Sequence, residues 1–241
     1  MYRIDFKGKT VLVTGGSSGI GNGIARVFRD AGAQVHVTGT QAAASDYDSD
    51  MRDMRYYRLD VADDRAVDDF APDFDRLDVL VNSVGTVAYK QAEFQMAGWR
   101  HVMDVNITGV MHCCTKFRPM LAQSKGSIVI VSSMASFHAT RGNPAYSASK
   151  GGLRTLTMTL AEAWAKDGIR VNAVAPGFVD TKLTKITRDN PQLYEATLKN
   201  TPLGRWGQPE EMGTAALFLA SDMASYITGA MIPVDGGAGL S

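Results

Sequence analysis

The chain has 241 residues, 45% hydrophobic and 21% charged, the balance of a globular fold able to bury a sizeable core. Its 25 basic and 25 acidic residues cancel, so no basic surplus invites nucleic acid or an anionic membrane. The opening "MYRIDFKGKT" is too polar for a signal peptide, no apolar run could span a bilayer, and the adjacent Cys113 and Cys114 read as packed thiols, so a cytoplasmic protein is expected.

The first strand is predicted at "TVLVTG" (10–15). The helix "GIGNGIARVFRDAG" (19–32) follows, with Ile20, Ile24, Val27 and Phe28 on one face and Gly32 as its stop. Strands recur at 33–40, 54–61, 77–85, 126–133, 169–177 and 230–237, with helices at 98–122, 147–166 and 209–220. Several strands are continuous apolar runs, as expected when helices cover both faces of a parallel sheet. The alternation has no linker, so the fold class is α/β: one doubly wound parallel sheet across residues 1–241. A ligand then lies outside the carboxyl ends of the strands, where their order reverses. "YDSDMRDMR" (47–55) reads as a solvated charged connection.

"TGGSSGIG" (14–21) joins the first strand to the first helix. Its glycines permit a tight turn and close backbone approach, and the helix N-terminus offers N–H groups and a positive dipole end to a pyrophosphate. Gly15, Ser17, Ser18, Gly19, Ile20 and Gly21 are therefore the candidate phosphate-binding residues. A second pattern is the pair Tyr146 and Lys150 in "NPAYSASKGG" (143–152), one helical turn apart. An ammonium about 4 Å from a phenol is worth up to a few kcal/mol at intermediate dielectric. That is enough to bring Tyr146 down from its ordinary pKa of about 10 toward the operating pH of an acid–base catalyst.

With Gly15, Gly19, Gly21, Tyr146 and Lys150 so spaced, the chain resembles the short-chain dehydrogenase/reductase family over essentially its whole length, nearest in flavour to the 3-oxoacyl-thioester reductases. The resemblance implies hydride transfer between a nicotinamide cofactor and an alcohol/ketone pair. It also implies that Tyr146 exchanges the proton, that Lys150 bonds the nicotinamide ribose as well, and that Ser133, thirteen residues before Tyr146, holds the substrate oxygen. Asn106, in "DVNITG", would break local helix bonding and hold a water between Lys150 and solvent. Asp60 and Val61 would meet the adenine, although Asp60, like Asp63, could equally cap the next helix. Asn82 and Gly85 of "VNSVG" match the family's cofactor strand end, while Ser83 and Val84 depart from its N-N-A-G. In "APGFVDT" (175–181), Pro176 and Gly177 would form a turn, and the Val179 N–H and Thr181 hydroxyl would anchor the carboxamide.

The family's NAD enzymes carry an aspartate where this chain has Gly39, followed by Thr40 and Gln41. With no carboxylate to repel a 2′-phosphate, NADP(H) is favoured. Ser18 and Thr40 stand where basic partners are usual, so NAD(H) stays open; Thr40 could donate from its hydroxyl to either. His36, His101 and His112 share no ligand spacing, so no metal is expected. Residues 182–207 interrupt the alternation and are expected to form a mobile lid. Phe178, Leu183, Ile186 and Leu193 in and beside it either face a partly hydrophobic small-molecule substrate or pack the lid itself. The likeness also implies a homotetramer built on helices 98–122 and 147–166. The competing class is a catalytically silent cofactor sensor or assembly subunit, against which stands the filling of every catalytic position.

Overall fold

Successive side chains of a strand point to opposite faces, and the apolar runs of this chain use both. The computed structural model describes residues 4–240. Its strands are β1 (Thr10–Thr14), β2 (Gln34–Gly39), β3 (Met54–Arg58), β4 (Val79–Asn82), β5 (Ser127–Val131), β6 (Arg170–Pro176) and β7 (Met231–Val234). All pair in parallel, in the order β3-β2-β1-β4-β5-β6-β7. The helices are α1 (Gly19–Asp30), α2 (Asp64–Asp69), α3 (Met96–Met103), α4 (Gly109–Ser124), α5 (Pro144–Trp164), α6 (Lys185–Arg188), α7 (Pro191–Lys199) and α8 (Pro209–Ala220).

Val11, Val13, Val79, Val81, Val129 and Val131 form one buried layer with Ile24 and Phe28 of α1 and Met212 and Leu219 of α8. The residues between them, Leu12, Leu80, Ile128 and Ile130, face the other way onto Phe117 and Leu121 of α4 and Leu153 and Leu160 of α5. The β-branched pattern thus builds two cores, one on each face of the sheet. Truncating a fully buried ring such as Phe28 or Phe117 to alanine would cost about 3–5 kcal/mol.

The sheet order reverses between β1 and β4, where Thr14 pairs with Asn82. That junction sets the carboxyl-end crevice beside the 14–21 loop. One element departs from expectation. The single helix read over 98–122 is α3, then a widened π turn at Asp104–Thr108, then α4. Asn106 lies inside that turn, as its expected disruption of helix bonding requires. Cys113 and Cys114 are both free and buried, and burial pushes the Cys113 thiol up to about 12. Among the described residues no helix is long and apolar enough to cross a membrane.

Candidate active site

A cleft of about 490 Å³ opens at the carboxyl ends of the strands, floored by the 14–21 loop and walled by α5. Gly15 adopts φ +70° and donates its N–H to Thr38 Oγ1 at 3.2 Å, which pins the turn. A Cβ on Gly21 would collide with the Gly15 carbonyl oxygen, so only glycine lets α1 start this close to β1. Ser18 is the N-cap of α1 but its side chain makes no capping hydrogen bond, and it lines the cleft together with Gly15, Ser17, Gly19, Ile20 and Gly21. The dipole end of α1 is thus presented to the cleft without a side chain closing it.

Across the crevice, Asp63 caps α2, its carboxylate accepting from the N–H groups of Arg65 at 3.0 Å and Ala66 at 3.2 Å. Asp60 takes no part in that cap. It accepts from the Ala62 N–H at 3.0 Å and lines the cleft beside buried Val61. Thr40, Gly85 and Thr181 line it too. The Ser83 Oγ is buried without a hydrogen-bond partner on the same wall.

Tyr146 is half-buried in the first turn of α5, with Lys150 one turn further on. The Lys150 ammonium is buried, donates to the Val131 carbonyl at 3.0 Å, and lies 5.8 Å from the centre of the Tyr146 ring. Burial pulls its pKa down to about 8. Gly85 packs beside the ammonium, a Cβ there standing 3.4 Å from Lys150 Nζ. The sequence reading expected Lys150 to lower the phenol's proton affinity. The protein shows the opposite direction: burial raises the Tyr146 pKa, and the Ser133 hydroxyl pulls it back more weakly. Burial is the largest cause of that direction, and the Tyr89 and Glu93 charges add to it.

Ser133 caps the turn after β5, its Oγ accepting from the Ala135 N–H at 3.1 Å. Ser132, the adjacent alternative, donates to the Lys150 carbonyl at 3.0 Å and itself lines the cleft. Asn106 is fully buried. Its Oδ1 accepts from the Thr86 N–H at 2.7 Å, and its Nδ2 donates to the Thr86 carbonyl at 2.9 Å and to Ser149 Oγ at 3.1 Å. Ser149 in turn donates to the Tyr146 carbonyl at 2.8 Å. The π turn is thereby tied to the first turns of α5.

Several expectations need correction. Asn82 does not line the cleft: it accepts from the Thr14 hydroxyl at 3.1 Å and donates to Cys114 Sγ at 3.2 Å, bracing the strand end from inside. After β6, Val179 is buried and bridges to Gly207, and Thr181 lines the cleft. The 47–55 stretch is not merely a solvated connection, because Tyr47 lines the cleft. Glu93 was also missed. It is 1% exposed, has no ion-pair partner among the described residues, and accepts from the N–H groups of Ala88 and Tyr146 and from Asn143 Nδ2 at 3.0, 2.9 and 3.2 Å. No local signal distinguishes it from a surface glutamate. Lys182, also unforeseen, lines the cleft and reaches Asp48 at 3.4 Å.

The open N-terminus of α1 and the glycine turn that brings it to the cleft suit a bound dinucleotide. Comparison with known proteins agrees. A family model described as enoyl-(acyl carrier protein) reductase matches residues 15–239. The chain is 38% identical to a 2-dehydro-3-deoxy-D-gluconate 5-dehydrogenase of Bacillus subtilis (strain 168), over 96% of this chain and 94% of that one. It is 41% identical to a galactitol 2-dehydrogenase (L-tagatose-forming) of Cereibacter sphaeroides, over 98% and 96%. Among solved structures, the Pseudomonas aeruginosa RhlG/NADP active-site complex superposes with a TM-score of 0.87 at 33% identity, covering 99% of this chain and 100% of that one.

Proposed function

The chain belongs to the short-chain dehydrogenase/reductase family and is an oxidoreductase of alcohol and carbonyl groups, and from that premise we propose that it interconverts a small-molecule ketone and its secondary alcohol with NADP(H), through Tyr146, Lys150, Ser133 and Asn106. The nicotinamide supplies or accepts the hydride. In reduction, Tyr146 would give its phenolic proton to the carbonyl oxygen, completing the alcohol whose new C–H bond the nicotinamide would supply. The Ser133 hydroxyl holds that oxygen and stabilises its developing charge. Lys150, which lines the cleft, would bond the nicotinamide ribose. Asn106, through Ser149, keeps the first turns of α5 in register. The observation that carries the reading is the meeting of Tyr146, buried Lys150 and the open N-terminus of α1 in one cleft.

The segment 182–207 acts as the lid. Support comes from the Tyr89 hydroxyl, which donates to the Leu183 carbonyl at 2.6 Å across the cleft mouth. Leu183 lines the cleft and is 40% exposed, which supports an apolar contact to substrate, while Phe178 stacks on Trp206 of the lid itself. The protein would work in the cytoplasm as a homotetramer, joined through the outer faces of α4 and α5, where Met111 and Met158 are exposed. The test is a titration with NADPH and NADH, then turnover with the preferred cofactor against keto sugar acids, keto polyols and 3-oxoacyl thioesters. Oxidation of the cofactor by one of these ketones is expected. Binding of neither cofactor, or binding with no turnover of any ketone, would overturn the reading.

A further inference from the structure

At the end of β2, Gly39 leaves a space that another part of the chain fills. A Cβ built on Gly39 would run into two oxygens, Ser17 Oγ and the Tyr47 hydroxyl. Both lie as near to that Cβ position as a carboxylate oxygen lies to the Cβ within one aspartate. The ring reaches there from the turn after Ala44–Asp46, which brings Tyr47 back against the strand end. Its oxygen accepts from the Gln41 N–H at 2.9 Å, and Tyr56 fixes the same loop by donating to the Gln41 carbonyl at 2.6 Å. Ser17, Gly39, Thr40 and Tyr47 all line the cleft.

We propose that Tyr47 sets the cofactor preference of this chain, its hydroxyl standing in for the acidic side chain absent at position 39 and donating to the 2′-phosphate of the adenosine ribose. This rests on the reading that a dinucleotide binds with its adenosine at the Gly39–Thr40 end. An aspartate at this point accepts from a 2′-hydroxyl and repels a 2′-phosphate. A phenol is neutral, accepts from Gln41 and keeps a proton to donate. It therefore gives a charge-assisted bond to a phosphate carrying close to two negative charges and a plain hydrogen bond to a hydroxyl. Ser17 and the Gln41 backbone hold the phenol in place.

The experiment compares the full-length protein with Tyr47→Phe. Calorimetric titrations use NADPH, NADH and two fragments lacking nicotinamide, adenosine 2′,5′-bisphosphate and AMP. Thermal melting confirms that the variant folds; Tyr47→His, which retains a donor, is measured beside it. For Tyr47→Phe, affinity for NADPH and the bisphosphate should fall roughly 10- to 100-fold, with only a few-fold change for NADH and AMP. Tyr47→His should recover part of the loss. An unchanged NADPH-to-NADH ratio, or equal losses for all four ligands, overturns the assignment of Tyr47. Wild-type protein that binds none of the four overturns the cofactor reading beneath it instead.

Discussion

The Lys150 ammonium lies 5.8 Å from the centre of the Tyr146 ring, and burial drives both groups toward their neutral forms. The phenol accordingly holds its proton at neutral pH, the state that a proton donor in carbonyl reduction requires. The lysine, at about 8, keeps its charge at neutral pH but by a narrow margin. A fold that buries an ammonium with the Val131 carbonyl at 3.0 Å accepts a desolvation cost at this point.

That cost has a pH signature. The Lys150 pKa falls from an ordinary 10.5 to about 8 in the folded chain. Between those values the unfolded chain binds more protons at this residue, so the stability it contributes rises with pH across that window. The full effect is at most roughly 3 kcal/mol. Lys150→Met removes the titration, and urea unfolding across the window should show a flatter pH dependence in the variant. Equal slopes for the two proteins would contradict the burial argument.

Asn106 satisfies both backbone groups of Thr86 and the Ser149 hydroxyl from a fully buried position. Asn106→Ala orphans several buried polar groups at about 1–3 kcal/mol each. A loss of at least about 2 kcal/mol in denaturant unfolding is expected. Faster exchange of the Thr86 amide should accompany it. An unaltered midpoint would show that the π turn does not depend on this side chain.

Glu93 holds the N-terminal turn of α5 through the Tyr146 N–H at 2.9 Å and the Asn143 side chain at 3.2 Å. Glu93→Ala should expose the Tyr146 amide to hydrogen exchange and lower kcat with little change in cofactor affinity. Glu93→Gln retains one acceptor oxygen and should recover part of both. If exchange at Tyr146 stayed at the wild-type rate, the cap would carry no weight.

Much of this architecture is legible along the chain because it depends on short-range rules. The β-branched runs, the loop from Gly15 to Gly21 and the i, i+4 pair of Tyr146 and Lys150 each state their geometry locally. The positions of Tyr47 and Glu93 are not stated so. Each side chain crosses from a distant segment to complete a strand end or a helix start, and neither neighbourhood carries a motif. Asn82 has the right position but turns inward, because Thr14 and Cys114 supply partners that only the assembled sheet and α4 create. The direction of the Tyr146 shift is likewise tertiary, since burial is set by what packs over α5.

The most direct measurement is the rate of hydride transfer in a single turnover, with wild-type protein and Tyr146→Phe loaded with NADPH and mixed with the preferred ketone. The account predicts a rate lowered by roughly 10²- to 10⁴-fold in the variant, with NADPH affinity changed by no more than a few-fold. Transfer at the wild-type rate without the phenolic hydroxyl would contradict it.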